Sequence, residues 1–188
     1  MAANVNSFLA NFTGGGARAN RYEVIIGFPN FLNIRDTAVQ QKISFTCKAA
    51  SIPASELGEA VVPYKGRQIK VPGDRTFGDW TVTIVIDNDF KGRDLFESWS
   101  SGMLGNSTNL TKSANELNPL QIYGQAQVNL LDRYDQVLKR YQITGMFPKS
   151  VGEVTIGYDQ NDQVMEQQVT FAVNEWGAYD ANGSLVTN

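Results

Sequence analysis

Between residues 20 and 176 apolar and polar side chains mostly alternate with a period of two. Tyr22, Val24, Ile26 and Phe28 share one face of such a run. Ile43, Phe45 and Cys47 oppose Lys42, Ser44, Thr46 and Lys48, and Trp80, Val82, Ile84 and Ile86 alternate with Thr81, Thr83 and Asp87. Farther on, Ala126, Val128 and Leu130 oppose Gln125, Gln127 and Asn129; Tyr141, Ile143 and Phe147 oppose Arg140, Gln142 and Thr144; Val169, Phe171 and Val173 oppose Gln168, Thr170 and Asn174. An extended chain sends successive side chains to opposite sides, so each run predicts a strand with one apolar and one polar face, as in antiparallel sheets. Turn signals fall between the runs: Tyr64-Lys65-Gly66-Arg67, Asp132-Arg133-Tyr134-Asp135 and Asn161-Asp162.

One segment follows a helical period. Leu95, Phe96, Trp99 and Met103 recur within residues 90–103, with Asp87, Asn88 or Asp89 placed to cap its start and Gly102 and Gly105 to mark its end. Two polar stretches, Ser51 to Val61 and Leu104 to Pro119, read as long loops, which in compact domains are usually functional. The small-residue opening, residues 1–19, reads as a flexible arm with one short helical turn near Phe8 to Phe12; residues 20–176 form the domain and residues 177–188 a tail. The predicted architecture is mainly β: two packed antiparallel sheets, sandwich- or barrel-like, with one α-helix alongside.

Composition narrows the function by exclusion. The chain has 188 residues, enough for one domain that needs no disulfide or metal staple. Its net charge is −3 and its longest basic cluster is Lys139-Arg140, which rules out tight binding to nucleic acid through clustered phosphate contacts. Residues 1–11 carry neither a basic region nor a long apolar run, so no secretory signal is expected. With no histidine and one cysteine, a Ser-His-Asp triad, a Cys-His pair and an ordinary zinc site are excluded. The triple glycine at 14–16 follows no strand and precedes no Lys-Ser/Thr pair, so it predicts a flexible lead-in rather than a phosphate loop, and no cofactor or metal is expected. The acids Asp74, Asp79, Glu97, Glu153 and Asp159 are scattered, which favours solvated or loop-fixing roles over a carboxylate hydrolase. Cys47 alternates onto an apolar face as a small buried hydrophobe, and Trp80, Trp99 and Trp176 sit at core positions.

Three segments carry a more specific message. They are Phe45 through Ala54 (FTCKAASIPA), Val71 through Thr83 (VPGDRTFGDWTVT), and the run from Gly145-Met146-Phe147-Pro148 through Ser150-Val151-Gly152-Glu153 to Phe171-Ala172-Val173-Asn174-Glu175-Trp176. In order, spacing and wording they resemble the tail tube proteins of T-even-type contractile bacteriophages, over residues 20 to 176. The resemblance implies a structural subunit and no enzyme. Six copies would close into a ring whose inner sheets merge into one continuous β-barrel, and rings would stack head to tail into a hollow conduit inside a contractile sheath. The implied partners are other copies of the chain, the tail sheath protein, and baseplate and tail-terminator proteins. Genomic DNA would pass through the lumen without tight binding, and no small-molecule substrate is implied. The implied location is the virion tail, assembled in the host cytoplasm. A baseplate protein that initiates the tube, and the tube subunit of a phage-like bacteriocin or type VI-like secretion system, are the alternatives within the same architecture. A monomeric ligand-binding β-module and a carboxylate hydrolase are the alternatives outside it.

A lone sheet leaves unpaired edges, and a closed ring of identical subunits would pair them. The loops, the Val61 to Val71 hairpin and the N-terminal arm are the expected stacking elements. The candidate assembly residues are Glu56, Lys65, Arg67, Asp74, Arg75, Asp79, Asn106, Lys112 and Glu116, with Asp74 and Arg75 placed at a turn. The polar faces at Gln125, Gln127 and Asn129, and at Gln168 and Thr170, are expected to line a lumen or surface. Two stretches depart from the family pattern: Pro29 to Val39, where the family can use a tight turn, and the tail Gly177 to Asn188.

Overall fold

The computed structural model describes residues 4–11, 16–32, 37–110 and 119–186. A short helix α1 (Val5–Asn11) leads to strand β1 (Tyr22–Gly27), a 3-10 turn (Asn30–Leu32), helix α2 (Thr37–Thr46) and strand β2 (Cys47–Ala50). Two long strands follow, β3 (Ser55–Tyr64) and β4 (Arg67–Phe77), then β5 (Trp80–Val85) and helix α3 (Lys91–Met103). A helical turn α4 (Pro119–Ile122) precedes β6 (Gly124–Leu131), β7 (Val137–Val151) and β8 (Glu166–Asp180). Six strands form one antiparallel sheet in the order β1-β6-β7-β8-β5-β2, and β3 and β4 pair only with each other in a second sheet.

The six-stranded sheet wraps around its own core because β7 and β8 are long enough to serve both halves. The start of β7 pairs with β6 and with the end of β8 (Lys139 opposite Asp180, Ile143 opposite Trp176). Past Gly145, which sits at φ +65°, and a register shift at Pro148, the end of β7 pairs with residues 169–173 of β8, beside β5. Bulges of this kind bend a strand and increase its twist. Helix α3 enters the resulting concavity with Phe96 and Trp99 buried. Trp99 meets Phe171 of β8 at 5.9 Å and Phe28, just after β1, at 5.6 Å between ring centroids, while Phe96 meets both at 5.9 and 5.7 Å. Around them pack Val24, Ile26, Trp80, Val82, Ile84, Val128, Ile143, Met146 and Val169, all buried. The alternation in the sequence therefore marks core faces in β1, β5, β6, β8 and the first half of β7; past Gly145 the faces of β7 switch, so Met146 and not Phe147 is the core residue. The exception on the core side is Gln167, 2% exposed and opposite Ile84, next to a small cavity between α2 and α3.

Several local expectations are corrected. The run at 42–48 is not one strand. Residues 37–46 are helix α2, and only Cys47 onward is extended. On a helix two positions lie about 200° apart, so Ile43 is buried (2% exposed) while Phe45 is 88% exposed. The relevant signal is Val39 and Ile43 at i and i+4, which turn toward the core together. The helix lies along β1, where the Ser44 hydroxyl donates to the carbonyl of Val24. The cap of α3 is Phe90 in the left-handed region (φ 52°), with no side-chain cap bond. Asp89 accepts from the amide of Lys91, the first residue of α3, at 3.3 Å, and Asp87 and Asp89 are both held at 2.6 Å by Lys42 of α2, contacts that lower both carboxyl pKa values. Gly102 lies within α3 rather than past its end. Residues 55–61, read as loop, belong to β3.

The two edge strands of the large sheet, β1 and β2, share no ladder but approach each other. Tyr22 of β1 donates its hydroxyl to the carbonyls of Cys47 (3.3 Å) and Lys48 in β2, so the edge strands meet and the sheet is a nearly closed barrel. Among the described strands, those with a single ladder partner, and so with an edge that a ring of copies could pair, are β1 and β2 as well as β3 and β4.

Gly124 packs closely against the buried Trp99. A Cβ there would lie 2.4 Å from the Trp99 ring and 2.8 Å from the Gly27 carbonyl. Gly124→Ala is expected to destabilise the protein by about 1–3 kcal/mol through overpacking, read as a lowered urea midpoint; an unchanged midpoint would mean that the Trp99 ring can shift without penalty.

Candidate functional site

The β3–β4 hairpin is the one large element whose apolar residues are not covered by the rest of the described chain. Its two-residue turn needs positive φ at both central positions, and Lys65 (46°) and Gly66 (81°) supply them. Ten residues of strand reach roughly 30 Å, and nearly every residue along both strands is exposed. Directly opposed residues share a face. Ala60 with Val71, Val62 with Ile69 and Tyr64 with Arg67 lie on one side, whereas Glu59 with Pro72, Val61 with Lys70 and Pro63 with Gln68 lie on the other. The first face is nearly all apolar, and its Val62, Ile69, Val71 and Tyr64 are each between 44% and 58% exposed. The second carries the Lys70–Glu59 ion pair at 2.9 Å. An isolated two-stranded hairpin is marginal in water, and an exposed apolar strand edge invites pairing.

The root of the hairpin is fixed to the barrel. Trp176 of β8 donates its indole N–H to the Ala54 carbonyl at 3.1 Å and meets the Phe77 ring at 6.3 Å. The Gly78 amide donates to the same carbonyl at 3.0 Å. Beyond these anchors the strands stand free, with a register shift between Leu57 and Glu59.

Six of the residues singled out from the sequence gather here. Lys65 and Arg67 are at the tip, the Lys65 ammonium 5.4 Å from the Tyr64 ring centroid. Glu56, Asp74 and Arg75 lie toward the base, where Arg75 donates to the Ser55 hydroxyl at 3.3 Å. Asp79, just past the root, pairs with Lys149 of β7 at 2.6 Å. Asp74 and Arg75 are inside β4, not at a turn, because the reversal occurs at Lys65-Gly66. Asn106 is exposed in the turn after α3, apart from this group in the chain, and Lys112 and Glu116 lie outside the described residues. Sequence reading listed the charges and passed over Val62, Tyr64, Ile69 and Val71. Their signal was the strand-like apolar run on each side of Lys65-Gly66.

A second surface is the outward face of the six-stranded sheet, which is polar. Asn129, expected as a lining residue, is buried at 3% exposure between its cross-strand neighbours Glu23 and Arg140. Its amide donates to Glu23 at 2.9 Å and its oxygen accepts from Gln127 at 2.8 Å and from Arg140 at 3.3 Å. Thr144 donates to Glu175 at 2.9 Å on the same face, and Gln125 is exposed.

No catalytic grouping is assembled from the acids considered. Asp74 is in β4, Asp79 precedes β5, Glu97 pairs with Arg93 on α3 at 2.7 Å, and Glu153 and Asp159 are in the segment after β7. Among the described residues no group of three or more His, Cys, Asp or Glu is placed to hold a metal ion, and no helix is long and apolar enough to cross a membrane. Cys47 packs against the core, and burial pushes its thiol pKa up to about 11, with the contact to the Ala49 carbonyl acting weakly the other way.

Residues 17–179 match the family model described as phage tail tube protein. The tail tube protein gp19 of Enterobacteria phage T4 is 32% identical over 149 residues, covering 79% of this chain and 89% of the relative. Among solved structures, a chain of the anti-feeding prophage baseplate superimposes with a TM-score of 0.64 at 12% identity, covering 88% of this chain and 97% of its own. A chain of the sheath-tube complex of the extracellular contractile injection system PVC gives 0.58 at 15% identity, covering 95% and 99%. At those identities the two structures show the shared fold.

Two measurements check this description. Amides of β3 and β4 should exchange with deuterium much faster than those of β6 to β8 in the monomer and become protected on assembly; equal protection in the monomer would mean the hairpin is already packed. Cys47 should be alkylated by iodoacetamide at pH 8 roughly 100-fold more slowly in the native protein than in urea, since only the thiolate reacts and the native pKa lies about two units higher.

Proposed function

The chain belongs to the phage tail tube protein family, and on that premise we propose that it is the tail tube subunit of a contractile phage tail, in which six copies close into a ring and rings stack head to tail into a hollow conduit. The observation that carries the stacking is the β3–β4 hairpin, which presents Val62, Ile69, Val71 and Tyr64 on one uncovered face. Covering a half-exposed branched side chain contributes about 1 kcal/mol. Several such contacts per hairpin, repeated around a ring, sum to a firm junction from individually weak parts. The contact is between unlike surfaces, hairpin on one copy and receiving surface on the next, and such contacts grow filaments rather than closed pairs.

The outward sheet face suits the lumen. Glu23, Gln127, Asn129 and Arg140 are linked by hydrogen bonds through the Asn129 amide, so the face is hydrophilic and carries an acidic group beside its guanidinium. A conduit for a polyanion must wet without gripping, and a row of free cations would hold DNA through its phosphates. The net charge of −3 points the same way. In this reading the protein performs no catalysis. Its partners are other copies of itself, the surrounding sheath, and the baseplate and terminator proteins at the two ends, and DNA passes through it transiently.

Negative-stain microscopy of the purified protein at high concentration, with and without added baseplates, tests the proposal. Hollow tubes of uniform width or six-fold rings are expected. Val62→Asp and Ile69→Asp should abolish tubes while leaving the urea midpoint of the monomer within about 0.5 kcal/mol of the parent, as for exposed positions. A parent that stays monomeric even with baseplates, or variants that form normal tubes, would remove the hairpin from this role.

A further inference from the structure

A hairpin that docks on another copy needs a receiving surface that matches it in charge and in apolar content. Residues 60–70 (AVVPYKGRQIK), the outer half of the β3–β4 hairpin, carry three basic side chains and no acidic one. Lys70 is paired with Glu59, whereas Lys65 and Arg67 at the tip form no ion pair with any described carboxylate. The segment between β7 and β8 is its complement. Residues 153–166 (EVTIGYDQNDQVME) carry four acidic side chains and no basic one. Glu166 is paired with Lys48, whereas Glu153, Asp159 and Asp162 have no ion-pair partner among the described residues. The same segment exposes apolar side chains: Ile156 and Val164 are 76% and 65% exposed, and Tyr158 is wholly so. Its ends are fixed, the Gly152 amide donating to the Gln168 carbonyl at 2.7 Å and the Ile86 amide to the Met165 carbonyl at 2.9 Å. Between them lies a cleft of about 590 Å³ lined among others by Glu153, Gln160, Asp162 and Val164.

The two surfaces sit at opposite ends of the same strand. The hairpin root is anchored at Trp176, and the acidic segment runs into β8 at Glu166. Ten residues of strand separate them, roughly 33 Å. Strand β5 spans the same interval, since Trp80 comes just after the hairpin and Val85 lies opposite Glu166. We propose that the β3–β4 hairpin of one copy docks on the 153–165 segment of the next, Lys65 and Arg67 against Glu153, Asp159 and Asp162, and Val62, Tyr64 and Ile69 against Ile156, Tyr158 and Val164. The inference rests on the reading that copies stack into a tube, and it names the surface that receives the hairpin. Apolar contact supplies the cohesion. The charges set the polarity: tip on tip or segment on segment brings like charges together, and only the head-to-tail order pairs opposite ones. A contact between unlike surfaces at opposite ends of a subunit repeats without closing.

The test is a charge swap in the full chain. One variant carries Lys65→Glu and Arg67→Glu, a second carries Glu153→Lys, Asp159→Lys and Asp162→Lys, and a third carries all five. Each partial reversal is expected to raise the critical concentration for tubes roughly tenfold or more. The chain with all five should return to within about threefold of the parent, as coupled sites do in a mutant cycle. A segment reversal that forms normal tubes overturns the receiving surface and leaves the tube function standing, with the hairpin docking elsewhere. Two impaired reversals with no recovery in the combined chain overturn direct contact. A cross-link gives a second measurement that needs no charge change. Chains carrying Cys47→Ala, one with Lys65→Cys and an affinity tag and the other with Tyr158→Cys, are mixed, assembled and treated with a short bismaleimide. A tagged–untagged heterodimer is expected in tubes, and normal tubes without it overturn the proposal. So does an intramolecular link in a dilute monomer carrying both cysteines, because the hairpin then folds back on its own segment. If the parent forms no tubes even on baseplates, both readings fall together, and microscopy separates that case from the others.

Discussion

The insertion of Phe96 and Trp99 between the two halves of one bent sheet is the constraint on which the other features depend. Those rings contact Phe171 on one half and Phe28 at the end of β1 on the other. To enclose them the sheet must bend, and the bend falls where β7 passes Gly145 and Pro148. Bending brings β1 and β2 together until Tyr22 spans them, and α2 lies along β1. The barrel closes only nearly, since β1 and β2 share no ladder and each keeps one unpaired edge. The other surface open to association is what projects from it.

What projects is an element that makes poor sense in one copy. The hairpin is held at its root by Trp176 and Phe77, yet it leaves its apolar face in solvent. Its turn and register are well specified by Lys65-Gly66 and the cross-strand pairs, so it is an ordered strand pair and not a loose loop. A strand pair with its turn and register already formed loses less entropy on docking than a loose loop would. The barrel supplies a fixed frame and the hairpin a reach of several residues beyond it. This division suits the proposed stacking of subunits into a tube. The polar outer face completes it, its side chains joined by hydrogen bonds such as that from Asn129 to Glu23.

Much of this was legible from the chain itself. Period-two alternation located the core faces of β1, β5, β6, β8 and the first half of β7 because a half-buried strand must alternate. Lys65-Gly66 and Asp132 announced their turns through local chemistry, Asp132 accepting from the amides of Tyr134 and Gln136 at 2.7 and 2.9 Å. Leu95, Phe96, Trp99 and Met103 announced α3. The misreadings share one cause. Ile43, Phe45 and Cys47 alternate as a strand would, and only packing against β1 makes residues 37–46 a helix and turns Phe45 outward. Asp89 looked like a helix cap and does accept from the Lys91 amide at 3.3 Å, but Lys42, far off in the chain, also holds it from α2.

By itself, then, the sequence determined the class of fold, the lack of histidine-based chemistry and, through Val71 to Trp80 and the neighbouring segments, the family. These properties are written in residue identity and short-range periodicity. The tertiary structure alone decided which edges stay free, that Asn129 is buried while Phe45 is bare, and that Val62, Ile69 and Val71 share an uncovered face. Each of those depends on which distant strand or helix lies alongside, and local patterning cannot distinguish an apolar residue facing its own core from one facing a neighbour.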